Sequence, residues 1–289
     1  MNPTTQIPAV TPVAGPRDIL LSVRGLTKSY GGLRAVNGAS LDLYPGEVVA
    51  LVGDNGAGKS TFVKMLSGVM TPDAGTIVLH GQEVRFASPT QARDAGIETL
   101  HQSLALVDVF DVPENIFLGR ELSRRRFGIV PMLDRAAMRE RTMELLQRIG
   151  ANLPSIDRPV RAMSGGQRQA VAIARLLLNE VHLLIMDEPM AALGVDEGRK
   201  VLDLIAELRT RGLTVLIISH NLEHVFSIAN RICVMKNGNI VGVVSTAEAS
   251  HDQIVRMIVS GHSVREAPTK SYVRDRGDLG LGQEGEDAV

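Results

Sequence analysis

The chain has 289 residues, 44% of them apolar and 22% charged, and 31 Lys and Arg against 32 Asp and Glu leave a net charge of -1. This is globular composition, which excludes wholesale disorder, and the missing basic excess argues against a nucleic-acid binder driven by counterion release. One cysteine, Cys233, excludes a disulfide scaffold and points to a reducing compartment. Residues 1–17, with Pro3, Pro8, Pro12 and Pro16, read as a disordered leader that lacks the basic and apolar regions of a signal peptide. Residues 263–289, rich in glycine and mixed charge, read as a mobile tail. A folded body is expected over 18–262, with no apolar run near the ~18 residues that a membrane span needs.

Residues 48–52 (VVALV) predict a buried strand, and TFVKMLSG from Thr61 a helix after it. From about 103 to 163 apolar stripes recur without a strong strand pattern, as in Met138, Leu145, Leu146 and Ile149 before Gly150, and predict a helical lobe. Within it, Arg124-Arg125-Arg126 reads as a solvated basic turn. Residues 183–186 (LLIM) and 214–219 (TVLIIS) read as two more buried strands. Between them Val201, Leu204, Ile205 and Leu208 keep helical spacing up to a stop at Gly212, and Leu222, Val225, Phe226 and Ala229 repeat it. Such alternation predicts an α/β fold, a parallel sheet with helices on its faces. Residues 231–235 and 240–244 flank Asn237-Gly238, which predicts an antiparallel β-element attached to that sheet.

Gly53-Asp54-Asn55-Gly56-Ala57-Gly58-Lys59-Ser60 fits G-x-x-x-x-G-K-[ST], entered by a strand and left by a helix beginning with Thr61. The glycines let the backbone curl so that its N–H groups converge on phosphate oxygens, and the helix N-terminus adds partial positive charge. Lys59 is expected on the β- and γ-phosphates and the Ser60 hydroxyl on Mg²⁺. Alone, this P-loop says nucleotide binding and nothing about the reaction.

The strand 183–186 runs into Asp187-Glu188-Pro189. Ligands of a parallel sheet gather at the carboxyl ends of its strands, where this pair emerges. Alternation along a strand sends the two carboxylates in different directions. Asp187 then suits Mg²⁺ and Glu188 suits polarising an attacking water. Further upstream, Ser164-Gly165-Gly166-Gln167 opens another helix with a capping-box pattern, and its glycines bare backbone amides for a second anion. One P-loop and two phosphate-binding helix starts suggest a nucleotide shared between two copies.

SGGQ placed 23 residues before Asp187 resembles the signature of the ATP-binding cassette (ABC) family. Other family marks follow in order. Tyr30, in Lys28-Ser29-Tyr30-Gly31-Gly32, matches the aromatic that stacks on adenine. Gln102 matches the glutamine that touches metal and attacking water and couples to the membrane partner. His220 matches the histidine at the γ-phosphate. The resemblance covers about 19–262 and implies a P-loop ATPase that binds ATP and Mg²⁺, with catalysis by Glu188, His220, Gln102 and Lys59. It also implies head-to-tail homodimers in which Ser164, Gly165, Gly166 and Gln167 meet the partner's nucleotide. The stretches 43–47, 113–121, 133–138 and 191–195 are similar to bacterial monosaccharide importers of the single-cassette fructose and ribose type. That implies a peripheral subunit on the cytoplasmic face of the inner membrane, an integral membrane permease and an extracytoplasmic solute-binding protein. Another importer, an exporter and a soluble ABC ATPase share the same catalytic residues. One departure stands out: Gly194 occupies the place of a family aspartate, removing a carboxylate from the expected dimer contact.

Overall fold

The computed structural model describes residues 19–126, 130–191 and 193–262; the leader and the tail expected at the two ends lie outside the described residues. In chain order, a hairpin of β1 (Leu21–Tyr30) and β2 (Leu33–Leu43) precedes β3 (Val48–Val52) and α1 (Lys59–Leu66). A second hairpin, β4 (Ala74–Leu79) and β5 (Gln82–Val84), leads to α2 (Pro89–Asp94), β6 (Ile97–Leu100) and α3 (Val112–Ile116). Then come β7 (Ser123–Arg126), β8 (Val130–Leu133), α4 (Arg135–Arg148) and α5 (Gly165–Leu176). The remainder is β9 (Leu183–Asp187), α6 (Val195–Thr210), β10 (Thr214–Ile218), α7 (Leu222–Ile228), β11 (Arg231–Lys236), β12 (Asn239–Ser245) and α8 (His251–Ser260).

The main sheet has the order β12-β11-β3-β10-β9-β6, parallel except for β12, which pairs antiparallel with β11 around Asn237-Gly238. Alternate residues of its central strands serve two cores. Val49 and Leu51 of β3, Ile185 of β9 and Leu216 of β10 pack with α1 and the first β-layer. Val48 and Ala50, Leu184 and Val215 pack with α5, α6, α7 and α8 on the other side. Burial on both faces is why these strands read as unbroken apolar runs. Each fully buried aliphatic side chain stabilises by about 1.5–3 kcal/mol, so both faces commit the strands to the interior.

Two features differ from the sequence expectations. A separate antiparallel sheet, β2-β1-β4-β5, covers α1, although none of its strands was legible. Its alternation is interrupted at Gly25, where φ is +62° and the β1–β2 register shifts between Val23 and Leu26. In addition, Arg124, Arg125 and Arg126 are not a turn but lie in β7, paired antiparallel with β8 inside the segment read as a helical lobe. A strand of consecutive arginines shows no apolar period, and only its local partner reveals it. No helix among the described residues is long and apolar enough to cross a membrane.

Candidate active site

Strand register assembles the site. Ile218 of β10 pairs with Leu51 of β3 and with Asp187 of β9, and Met186 pairs with Leu100 of β6. The chain therefore leaves one edge of the sheet four times: into Gly53, His220, Glu188 and Gln102.

At the first exit the glycines are compulsory. A Cβ on Gly53 (φ +152°) would lie 2.1 Å from the Met235 carbonyl oxygen, and one on Gly58 (φ +104°) 2.3 Å from that of Ala35. The hairpin turn braces this loop: Gly238 N–H donates to Ala57 O at 2.9 Å, and Asn37 N–H to Gly238 O at 2.8 Å. Asp54, Asn55 and Gly56 are exposed at the rim. The Lys59 ammonium donates to the carbonyls of Gly53 (2.7 Å) and Asp54 (2.9 Å), so it sits inside the curl of the loop. Burial pulls its pKa below the ordinary lysine value, while Glu188, Asp54 and Asp187 act to raise it. Ser60 is exposed and Thr61 half-buried in the first turn of α1, where no side chain caps the amides. A cradle in which Gly53 and Gly58 leave no room for a Cβ, opening onto a helix start without a side-chain cap and holding one ammonium, fits a polyphosphate.

β9 ends at Asp187. Glu188 turns out of it with a left-handed φ of +51°, its N–H donating to Ile218 O at 3.0 Å. The two carboxylates thus diverge through a backbone turn rather than through strand alternation, a correction to the sequence reading. A non-glycine residue there stores about 1–3 kcal/mol of strain, a feature concentrated at functional sites. Glu188 Oε1 lies 2.9 Å from Nδ1 of His220, which follows β10 and is largely exposed. A carboxylate can only accept, so His220 donates through Nδ1–H.

The other predicted residues are placed differently. Gln102 is exposed just beyond β6, and among the described residues no hydrogen bond joins it to the loop or the acids. The strap after it is tied to α5: Arg175 donates to Leu104 O (2.9 Å) and Ala105 O (2.7 Å), and Arg168 pairs with Asp108 at 2.7 Å. Tyr30 closes β1 with its hydroxyl donating to Met70 Sδ at 2.9 Å, on the hairpin that brings Ala35 to Gly58. Ser164 and Gln167 form the expected capping box at α5. Their bonds stay within α5, and Gly165 N–H donates to Glu197 Oε1 of α6 at 3.2 Å. Sequence reasoning missed Glu197, Arg175 and the Met235 and Ala35 carbonyls, because each acts across a long loop and none belongs to a local pattern.

A family model described as ABC transporter matches residues 36–191, just over half of the chain, including the glycine loop, Ser164–Gln167 and the acid pair. The chain belongs to the ABC transporter family. It is 45% identical over 254 residues to a fructose import ATP-binding protein of Rhizobium meliloti, covering 86% of this chain and 97% of the relative. It is 43% identical to a xylose/arabinose import ATP-binding protein of Sulfolobus acidocaldarius, covering 83% and 94%. Against a ribose import ATP-binding protein of Rubrobacter xylanophilus it is 44% identical but spans only 48% of that longer chain. Its fold is that of a solved ATP-binding cassette of an ABC transporter, with TM-score 0.73, 25% identity and coverage of 84% and 98%. A second solved cassette, dimeric and bound to ADP and phosphate, matches with TM-score 0.63 and 24% identity over 78% and 98%. The ABC signature and the P-loop of this chain therefore lie in the region that the family model matches, whereas Gly194 and His220 lie beyond it.

Proposed function

We propose that the chain is the ATP-hydrolysing motor of an importer for a monosaccharide, working through a separate integral membrane permease. The observation that carries this is the convergence of the Lys59 loop, Asp187 and the Glu188–His220 pair on one sheet edge. Relatives named for fructose and xylose/arabinose import support the class of solute.

On this reading the amides of Gly53, Asp54, Asn55, Gly56, Ala57 and Gly58, with Lys59, Ser60 and Thr61, bind the phosphates of ATP. Tyr30, whose side chain is exposed at the end of β1, carries the adenine. Ser60, Asp187 and Gln102 would hold Mg²⁺, which would supply neutralisation of charge on the phosphates. Glu188 is the general base for the attacking water, and the Nδ1–H of His220 orients its carboxylate. Lys59 and His220 face the charge that develops as phosphate departs. Ser164, Gly165, Gly166 and Gln167 meet the nucleotide of a second copy, so the working unit is a head-to-tail homodimer. The dimeric solved cassette supports that assembly. The segment 103–163, tied to α5 through Arg168 and Arg175, passes closure of the dimer to the permease at the cytoplasmic face of the membrane. An extracytoplasmic solute-binding protein delivers the sugar.

The test is purification of the chain from membranes together with a multi-span partner. ATP hydrolysis by that complex should rise when a sugar-loaded binding protein is added. Hydrolysis that is equal with loaded and empty binding protein would overturn the importer reading.

A further inference from the structure

The carboxylate of Glu197 lies against the helix start that the proposed function assigns to the partner's nucleotide. Glu197 is the third residue of α6, whose N-cap Gly194 has no side chain with which to complete a reciprocal capping box. Its side chain crosses to α5 instead, where Oε1 accepts from Gly165 N–H at 3.2 Å. A Cβ on Gly165 would lie 3.0 Å from Glu197 Oε2, and one on Gly166 would lie 3.4 Å from the Glu197 carbonyl oxygen. Both glycines are thus packed against this one residue. Ser164 N–H is already taken by Gln167 Oε1, and Gln167 N–H by Ser164 Oγ. The start of α5 is therefore self-capped, and among the described residues its only charged cap is Glu197. Negative charge at a helix N-terminus is favourable, but two anions at one amide repel each other.

We infer that Glu197 is a gate on ATP-driven pairing: its carboxylate holds the Gly165 amide in the single chain and must yield that amide to the partner's terminal phosphate. Only a strongly charged, correctly placed phosphate displaces it, so pairing waits for ATP. The inference rests on the shared-site reading of Ser164–Gln167 given above.

The experiment compares Glu188→Gln with Glu188→Gln/Glu197→Gln, following solution mass across a Mg-ATP titration. The double variant is expected to pair at an ATP concentration lower by about two- to fivefold, the range of a charge at a helix terminus. The gain should shrink as ionic strength rises from about 0.05 to about 0.5 M, because the effect is one of charge. Glu197→Ala in the same background should move pairing in the same direction, and thermal melting checks that both variants remain folded. Pairing that is unchanged or weaker in both folded variants overturns the gate and leaves the shared site standing. No pairing of any variant at saturating ATP overturns the gate and the shared site together.

Discussion

The starts of α1 and α5 both carry glycines, yet the fold surrounds them differently. At α1 the glycines face backbone: the carbonyls of Met235 and Ala35 leave no room for a Cβ. Lys59, Glu188 and His220 gather there because neighbouring parallel strands end in register. At α5 a Cβ on Gly165 would meet the Leu193 side chain at 2.5 Å, and the amide is held by a carboxylate of the same chain. The first place gathers an ammonium, a carboxylate and a cradle within one chain, whereas the second has amides and a cap. On the proposed function, similar glycine patterns thus become a reaction centre where strand ends supply side chains, and a contact surface where they do not.

The largest effect expected from breaking the first centre is in Glu188→Gln, which should lower ATP hydrolysis by about 10²- to 10⁴-fold, as loss of a general base does. Nucleotide titration should show binding preserved, and phosphate release measures the loss. Next, Gly58→Ala drives a Cβ into the Ala35 carbonyl at a left-handed φ and should cost about 3 kcal/mol in denaturant unfolding, along with nucleotide affinity. Gly165→Ala, by contrast, meets only the side-chain ends of Leu193 and Glu197 and should cost about 1 kcal/mol while leaving single-chain nucleotide binding intact. Equal losses at the two positions would break the distinction between a backbone-locked cradle and an open half-site. Ser164→Ala removes the N-cap of α5 and should cost about 1 kcal/mol, again with single-chain binding unchanged.

The smallest effect sharpens the link between the two regions. Glu98, on the strand that leads to Gln102, is buried against Arg93 and accepts from Asn179 just after α5 at 3.0 Å. Burial pushes its pKa above the ordinary carboxylate value, opposed first by the charge of Arg93 and then by the bond from Asn179. A raised carboxylate favours the folded state when protonated, so its stabilising contribution is present at acid pH and is lost as pH rises through the folded pKa. Glu98→Gln should therefore gain a little stability, below about 1 kcal/mol, near pH 7. That gain should vanish below about pH 4, as unfolding curves across pH would show.

Much of this was legible in the chain because it is local. VVALV, LLIM and TVLIIS announced strands buried on both faces, Asn237-Gly238 announced its hairpin, and Ser164 with Gln167 announced a capping box that the structure contains. The first β-layer was not legible, since Gly25 breaks the period of β1, and neither was β7, whose arginines carry no period at all.

By itself the sequence determined the glycine loop, the acids at a strand end and the family, because those depend on residue type at short, exact spacing. Only the tertiary structure decided that Met235 and Ala35 make Gly53 and Gly58 compulsory, that Glu188 meets His220, and that Glu197 caps Gly165. These contacts join residues 20 to 180 or so positions apart, and they follow from strand order, register and helix packing. No local periodicity encodes them.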